Sequence, residues 1–563
     1  MGSIQYEPEG IREVDVLIIG AGFGSFNLLN RLRKQGFSVK AFEKGSGSGG
    51  IWHWNQYPGA RVDSDTPIYQ LFDSELHKGF TFKERYADWK ELKRYFQYVE
   101  QQWDLLKDIE YNRCVEGARF DEASKKWTVT CVDGTQMRCR WLIAAIGFAA
   151  KKYTPRIKGL GSFQGEMHHT AAWPHWGVNL RGKRIAVIGT GASGIQTIQD
   201  SGPEAAHMTV YQRTPNYCVP MNQTPLDPAA EARKKAAGEY DAALSRCYET
   251  FAGFTYDFTD RDALSDTPEQ RRALYHRLLI EEGGFRFWLG TYRDTLFDDA
   301  ANDEAYAFWR EAVQRRVPDR RKAELLAPKQ KPHPWGTKRP SLEQNFYEVM
   351  SLPHVDLIDI NTNGIAEITE TGIRTADGEH REFDVIVLAT GFDAVTGSLS
   401  QLDIRNSAGE SVAEHWKDGL KTALGIALHG FPNLFFTYGP QAPTAFANGP
   451  TCTAVQAEWI DKVLQVSRKN GIERFEAKAE TEEEWTRRVK EKWDNSLFPQ
   501  AKSWYQGANI PGRRVEPLNW AGGMPPYIKA LDDSLENGLQ GWKTDRGQKE
   551  LDVDGIKVAS LKI

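Results

Sequence analysis

Val14-Asp15-Val16-Leu17-Ile18-Ile19-Gly20-Ala21-Gly22-Phe23-Gly24-Ser25 is the stretch that decides the fold. Val14 to Ile19 is a short apolar run suited to a buried strand. Glycines interrupt it at once, and Asn27 to Lys34 is then helical in composition. A second strand, Ser38 to Phe42, ends at Glu43, 23 residues after Gly20. Strand, glycine turn, helix, strand and terminal acid together form a dinucleotide-binding signature. Gly20 and Gly22 let the backbone approach a pyrophosphate at a helix N-terminus, and Glu43 is placed to accept from ribose hydroxyls. The third glycine position holds Ser25, so helix–strand packing must accommodate a hydroxymethyl group.

The pattern recurs. Arg184 to Ile188 reads as a strand, Gly189-Thr190-Gly191-Ala192-Ser193-Gly194 as the turn, and Ile195 to Asp200 as the helix. The next strand, Met208 to Tyr211, runs into Gln212-Arg213-Thr214-Pro215. Gln212 stands where Glu43 stands in the first copy, so the carboxylate is missing and an arginine follows. A carboxylate there favours a free ribose 2′-hydroxyl; an arginine favours a 2′-phosphate. The second site, with Gly189, Gly191, Ser193, Gly194, Arg213 and Thr214, is therefore expected to prefer NADPH, and the first to hold FAD. A surface arginine is the competing reading of Arg213. The fold class is α/β, with two Rossmann-like dinucleotide-binding domains.

The chain has 563 residues, more than one hydrophobic core organises. Its net charge of -5 and lack of a long basic run argue against nucleic acid as a partner. Six cysteines without a C-x-x-C pair suggest reduced thiols and argue against the dithiol reductases that share paired nucleotide domains. No apolar run approaches membrane-spanning length, no metal-ligand spacing occurs, and the N-terminus has no signal pattern. A cytoplasmic protein, monomeric or weakly homo-oligomeric, is expected. Eighteen tryptophans suit an apolar pocket or plain packing. Asp73 to about Trp103 reads as helical, and residues 225–330, rich in Ala, Glu and Arg, as a helical insertion without recognisable chemistry. Within it, Phe285, Phe287 and Trp288 read as core or pocket lining, with core the favoured reading. The layout expected is an FAD domain from 1–148 and 395–545, a linker over 149–178, an NADP domain from 179–224 and 331–394 carrying the insertion, and a tail over 546–563. The chain after Lys529 reads as peripheral.

Phe163-x-Gly165-x-x-x-His169-x-x-x-Trp173-Pro174 lies between the two signatures. It is too polar for a core strand and ends in proline, so it reads as a connection. This pattern resembles that of type I Baeyer–Villiger monooxygenases, and the likeness runs from about Val14 to about Tyr527. Gly49-Gly50-Ile51-Trp52 followed by Tyr57-Pro58-Gly59-Ala60-Arg61-Val62-Asp63 is similar to the family's flavin-edge segment, which brings Gly50 and Trp52 to the FAD site and makes Asp63 the residue that holds a catalytic arginine. Trp335-Gly336-Thr337-Lys338-Arg339-Pro340 resembles its G-x-K-R segment, implying Arg339 as that arginine and Lys338 on the 2′-phosphate. Gly439 to Phe446 resembles its active-site loop, with Phe446 lining a substrate pocket. Ser503 to Gly512 resembles its mobile loop, with Trp504 on the nicotinamide ribose. His169 is expected to couple domain motion.

The activity implied is insertion of one oxygen atom from O2 beside the carbonyl of a small apolar ketone, giving an ester or lactone, with NADPH and a flavin C4a-peroxide. The hard chemistry belongs to the cofactor, and the protein supplies position and charge. Two other readings stand beside it. One is an N- or S-oxygenating flavin monooxygenase, against which Trp173, Asp63 and Lys338-Arg339 argue. The other is a flavin- and NADP-binding redox protein that does not oxygenate.

Overall fold

The computed structural model describes residues 11–546. β1 (Arg12–Ile19), α1 (Phe23–Lys34) and β2 (Val39–Phe42) form the first glycine unit. Val16 to Ile19 are all buried, which explains their unbroken apolar run. β1 is parallel to β2 on one side and to Gln136–Ala144 on the other. The sheet runs Asp403–Arg405, Val115–Asp121, Lys126–Cys131, Gln136–Ala144, β1, β2, Ile109–Glu110, with Leu434–Phe436 also beside Gln136–Ala144. Its three strands between residues 115 and 144 are antiparallel. At Gly20 (φ +109°) a Cβ would lie 2.6 Å from the carbonyl oxygen of Ala145, so β1 turns directly against the segment that closes the unit.

The second sheet is wholly parallel. It contains β3 (Glu166–His169), β4 (Arg184–Ile188), β5 (His207–Gln212), β6 (Val355–Asp359) and β7 (Val385–Leu388), with α2 (Ala192–Ser201) following β4. The order is β6-β5-β4-β7-β3. β3 corrects the reading of residues 163–174 as a plain connection. Its polar residues are tolerated because among the described residues it is an edge strand, paired with β7 alone, and buries fully only His169. Gly165 sits at its entry, where a Cβ would come within 2.6 Å of the Phe163 ring and 2.7 Å of the carbonyl of Asp384.

Two further expectations are revised. The helical reading of Asp73 to Trp103 divides into Ser74–Gly79 and Trp89–Gln102, because Asp73 and Asp88 each cap a separate helix start through backbone N–H groups. The chain after Lys529 is not peripheral: Met524–Glu536 is a helix, and Trp542–Thr544 pairs with Phe475–Ala477, stacking Trp542 on Phe475 at 4.7 Å. Residues 547–563, most of the expected tail, lie outside the described residues. Residues 225–330 are helical, with Pro228–Ala236, Glu239–Arg246, Pro268–His276, Asp299–Arg316 and Arg320–Leu326 each capped or preceded by a turn residue. Phe285, Phe287 and Trp288 are fully buried there. All six cysteines are free, and no described helix is long and apolar enough to cross a membrane.

Candidate active site

Asp63 and Arg339 are 276 residues apart and meet as a two-point pair: Arg339 Nε donates to Asp63 Oδ2 at 2.7 Å and Nη2 to Oδ1 at 2.8 Å. Arg339 Nη1 donates to the carbonyl oxygen of Ala445 at 3.2 Å. The guanidinium lies over the rings of Phe285 (4.8 Å) and Trp288 (5.7 Å). Burial alone would lower its pKa, but Asp63 outweighs that and raises it, so the group is a permanent cation.

The loops that carry the pair are fixed by close approach. Tyr57 OH donates to Gln196 Oε1 at 2.7 Å, and Gln196 Nε2 donates to the carbonyl of Arg61 at 3.0 Å. A Cβ at Gly59 (φ +75°) would lie 2.4 Å from the carbonyl oxygen of Gln196. Gln196 is on α2, so the Tyr57–Asp63 loop of the first sheet's unit docks on the helix of the second. Trp288 Nε1 donates to the carbonyl of Gly336 at 3.0 Å, holding the segment that bears Arg339.

At the first glycine turn, Gly22 and Gly50 face one another, with a Cβ at Gly50 only 3.2 Å from the Gly22 Cα. Glu43 accepts from Ala21 N–H (2.9 Å) and Gly45 N–H (2.7 Å). Two carboxylate oxygens offer about four lone-pair sites, so acceptor capacity remains. Ser25 is fully buried and its hydroxyl has no partner among the described residues. Trp52 Nε1 donates to Tyr69 OH at 3.0 Å. At the second turn, a Cβ at Gly194 would strike the carbonyl of Gly189 at 2.2 Å, the tight helix–strand contact expected of a third glycine, whereas Gly191 faces open space. Thr190 Oγ1 donates to the carbonyl of Thr214 at 3.0 Å. Lys338 is pushed down to about 8 by burial and by the charge of Arg213.

Known proteins carry the same plan. Residues 14–238 match the family described as pyridine nucleotide-disulphide oxidoreductase. Cyclopentanone 1,2-monooxygenase from a Comamonas species is 47% identical over 94% of this chain and 96% of its own length. The chain belongs to the Baeyer–Villiger flavin monooxygenases. Cyclohexanone 1,2-monooxygenase from an Acinetobacter species is 35% identical over 94% of this chain and 96% of its own. A solved structure of cyclohexanone monooxygenase from Rhodococcus sp. Phi1 bound to NADP+ superposes with a TM-score of 0.91 at 34% identity, covering 95% and 99% of the two chains.

As a Baeyer–Villiger monooxygenase the enzyme depends on FAD and NADPH, and what it presents fits both. The first turn offers backbone approach between two glycines, a buried acid with spare lone pairs and an unpartnered buried hydroxyl. The second offers an open glycine face beside two cations, Arg213 and Lys338. Neither pairs with a carboxylate among the described residues, which suits a phosphate rather than a structural salt bridge.

The other sequence-derived residues of this monooxygenase lie further out. His169 caps a short turn through its Nδ1, which accepts from Ala171 N–H, while its Nε2 lies 3.1 Å from the Tyr153 carbonyl and 3.2 Å from Thr390 Oγ1. Burial lowers its pKa, keeping it neutral. Thr170 Oγ1 meets Ser193 Oγ at 3.0 Å, which joins the stretch to the second glycine turn. Trp173 is buried. Phe163, Gly165, His169 and Trp173 make no hydrogen bond, ion pair or ring contact with Arg339 or Asp63 among the described residues. Phe446 is buried against Phe498 (4.7 Å) and Tyr505 (5.0 Å), while the carbonyl before it reaches Arg339. Trp504 stacks on Phe148 at 5.4 Å.

Sequence reading missed several neighbours of the pair. Tyr69, Tyr438 and Tyr505 are close enough for Arg339 to oppose the rise in pKa that burial imposes on each. Tyr438 and Gln441 hold left-handed backbone (φ +52° and +58°), strain concentrated in the segment approaching Ala445. The contact of the Trp288 indole with the Arg339 segment and the Ala445 carbonyl also escaped notice, since distant pairing and main-chain contacts leave no local motif.

Proposed function

We propose that this Baeyer–Villiger monooxygenase acts on a small apolar ketone, cyclic by the names of its cyclopentanone- and cyclohexanone-oxidising relatives, and that Arg339 is its catalytic cation, oriented by Asp63. The observation that carries the assignment is the two-point Arg339–Asp63 pair. FAD, reduced by NADPH, supplies the oxygen chemistry when bound. The chain's own task is to hold a positive charge where negative charge develops on oxygen, in a site that excludes water. A guanidinium has five N–H donors. Among the described residues three of Arg339's are engaged by Asp63 and Ala445, leaving two for an anionic oxygen.

In this reading Gly20, Gly22, Ser25, Glu43, Gly50 and Trp52 hold FAD, with Asp63 at its edge. Gly189, Gly191, Ser193 and Gly194 approach the NADPH pyrophosphate. Arg213, Thr214 and Lys338 receive its 2′-phosphate end, and Trp504 its nicotinamide ribose. Phe446 backs the substrate pocket through its packing on Tyr505. Replacing Arg339 with alanine tests the reading. Loss of one preorganised donor costs about 3 kcal/mol, roughly a hundredfold or more in rate. Lactone formation from cyclopentanone should fall by that factor while flavin reduction by NADPH persists, followed by product analysis and rapid-mixing absorbance. Lactone formation near the wild-type rate would remove Arg339 from the chemistry.

A further inference from the structure

We propose that the helical insertion positions the Arg339–Asp63 pair through Phe285, Arg286 and Trp288. The proposal rests on the catalytic reading of Arg339. The three residues follow one another within four positions of the insertion, and their contacts fall on both members of the pair or on the loops that carry them. Phe285 and Trp288, three apart and both fully buried, present their rings to the guanidinium of Arg339. Trp288 also donates to the Gly336 carbonyl, and its ring leaves no room for a Cβ at Gly336, which would lie 2.7 Å away. The segment carrying Arg339 therefore rests on this indole.

Arg286 points to the other member. Its Nη1 is 3.4 Å from Asp65 Oδ2, two residues after Asp63. Arg85 reaches the same oxygen at 3.4 Å and also donates to the Glu282 carbonyl of the insertion at 3.1 Å. Arg286 is held in turn by Glu282 (3.1 Å) and by the Tyr256 ring (4.4 Å). Asp65 is thus a joint between the Asp63 loop and the insertion. The Arg339 guanidinium lies over two rings and pairs with Asp63, and both arrangements depend on residues 285–288. Simple packing would account for buried aromatics, but not for a half-buried ion pair beside Asp63 and an indole hydrogen bond to the Arg339 segment in the same turn.

The test uses the holoenzyme with Arg286→Met, Arg286→Lys and Phe285→Leu, and Arg272→Met as control. Arg272 is an exposed arginine of the same insertion, paired with Glu311. Lactone and hydrogen peroxide are measured together, with FAD content and Tm. Reactivity of Arg339 towards phenylglyoxal is followed by peptide mass spectrometry against exposed Arg181. Positioning requires Phe285→Leu to lower the lactone-to-peroxide ratio by roughly threefold to tenfold and Arg286→Met by about threefold. Phenylglyoxal labelling of Arg339 should quicken in both, FAD content and Tm should stay near wild type, Arg286→Lys should recover most of the ratio, and Arg272→Met should change nothing. Unchanged ratio and labelling in both variants, or a ratio that falls only in proportion to FAD content or Tm, overturns the proposal. Should Arg339→Ala itself form lactone normally, the catalytic reading fails first. Should it fail to form lactone while Phe285→Leu and Arg286→Met behave as wild type, only the positioning role is refuted.

Discussion

Replacing Asp63 with alanine removes the orienting partner of Arg339 and leaves the cation in place. Two charge-assisted hydrogen bonds, at 2.7 and 2.8 Å, are lost. Such bonds contribute about 1.5–3 kcal/mol each when fully desolvated. Here the Asp63 side chain is 31% exposed and that of Arg339 19% exposed, so water replaces part of the interaction. The Ala445 carbonyl and the two ring faces still restrain the guanidinium. A net loss of about 1.4–2 kcal/mol in the oxygenation step follows, roughly tenfold to thirtyfold in lactone formation. That is milder than the hundredfold expected for Arg339→Ala. Flavin reduction by NADPH should stay within about threefold of wild type, since on the proposed role the oriented fork acts where negative charge develops on oxygen. Stopped-flow absorbance follows reduction, and gas chromatography follows lactone and residual ketone. If Asp63→Ala proves as damaging as Arg339→Ala, or slows reduction as much as lactone formation, Asp63 does more than orient its partner and the reasoning is refuted.

Arg213→Ala should weaken NADPH use at least about tenfold while leaving NADH use nearly unchanged, because it removes one charge-assisted contact to a group only NADPH carries; equal loss with both would take Arg213 off the phosphate. Lys338 is cationic below about pH 8 and neutral above it, so NADP+ affinity, measured by calorimetry, should fall as pH rises through about 8, and this fall should disappear in Lys338→Met. In Arg213→Ala its onset should move to higher pH, since the repelling charge is gone. His169→Ala should retain FAD and lose coupled turnover, since among the described residues the hydrogen bonds of its ring reach Ala171, Tyr153 and Thr390; loss of FAD would give the residue a different job. Gly165→Ala places a Cβ against the Phe163 ring and the Asp384 carbonyl and should destabilise by about 1–3 kcal/mol, read as a lowered Tm.

Legibility from sequence followed how local the physical requirement is. Gly20, Glu43, Gly189 and the Gln212-Arg213 step announce themselves because strand, turn and acid occur at fixed spacing within one unit. Glu43 is indeed at the end of β2, and Gly194 makes the close contact its position demands. Asp63 and Arg339 were legible only through likeness to a family, since nothing within either segment says that they meet. β3 was misread because polarity excludes a central strand but not an edge. Gly59 stood out only as part of the flavin-edge segment; composition cannot tell which backbone such a glycine will touch, and here it is the carbonyl of Gln196. The ring faces under Arg339 come from an insertion whose sequence carries only helix-forming bias, so their purpose appears only when positions 285 and 339 are brought together.

The contact at Gly59 has a mechanical side. Asp63 is carried by the unit built on the first sheet and Arg339 by a segment between β5 and β6 of the second, so the ion pair bridges the seam between them. With Tyr57 bonded to Gln196 and Gly59 flush against the same residue's backbone, the Asp63 loop is geared to α2, the helix that begins at the second glycine turn. A tilt of that helix relative to the first sheet cannot leave Asp63 where it was. The carboxylate is dragged along, and the direction in which it aims the guanidinium turns with it. On the proposed role of Arg339, the alignment of the two nucleotide units and the aim of the cation are therefore coupled, and a substitution at this seam is expected to detune the enzyme from outside the proposed site.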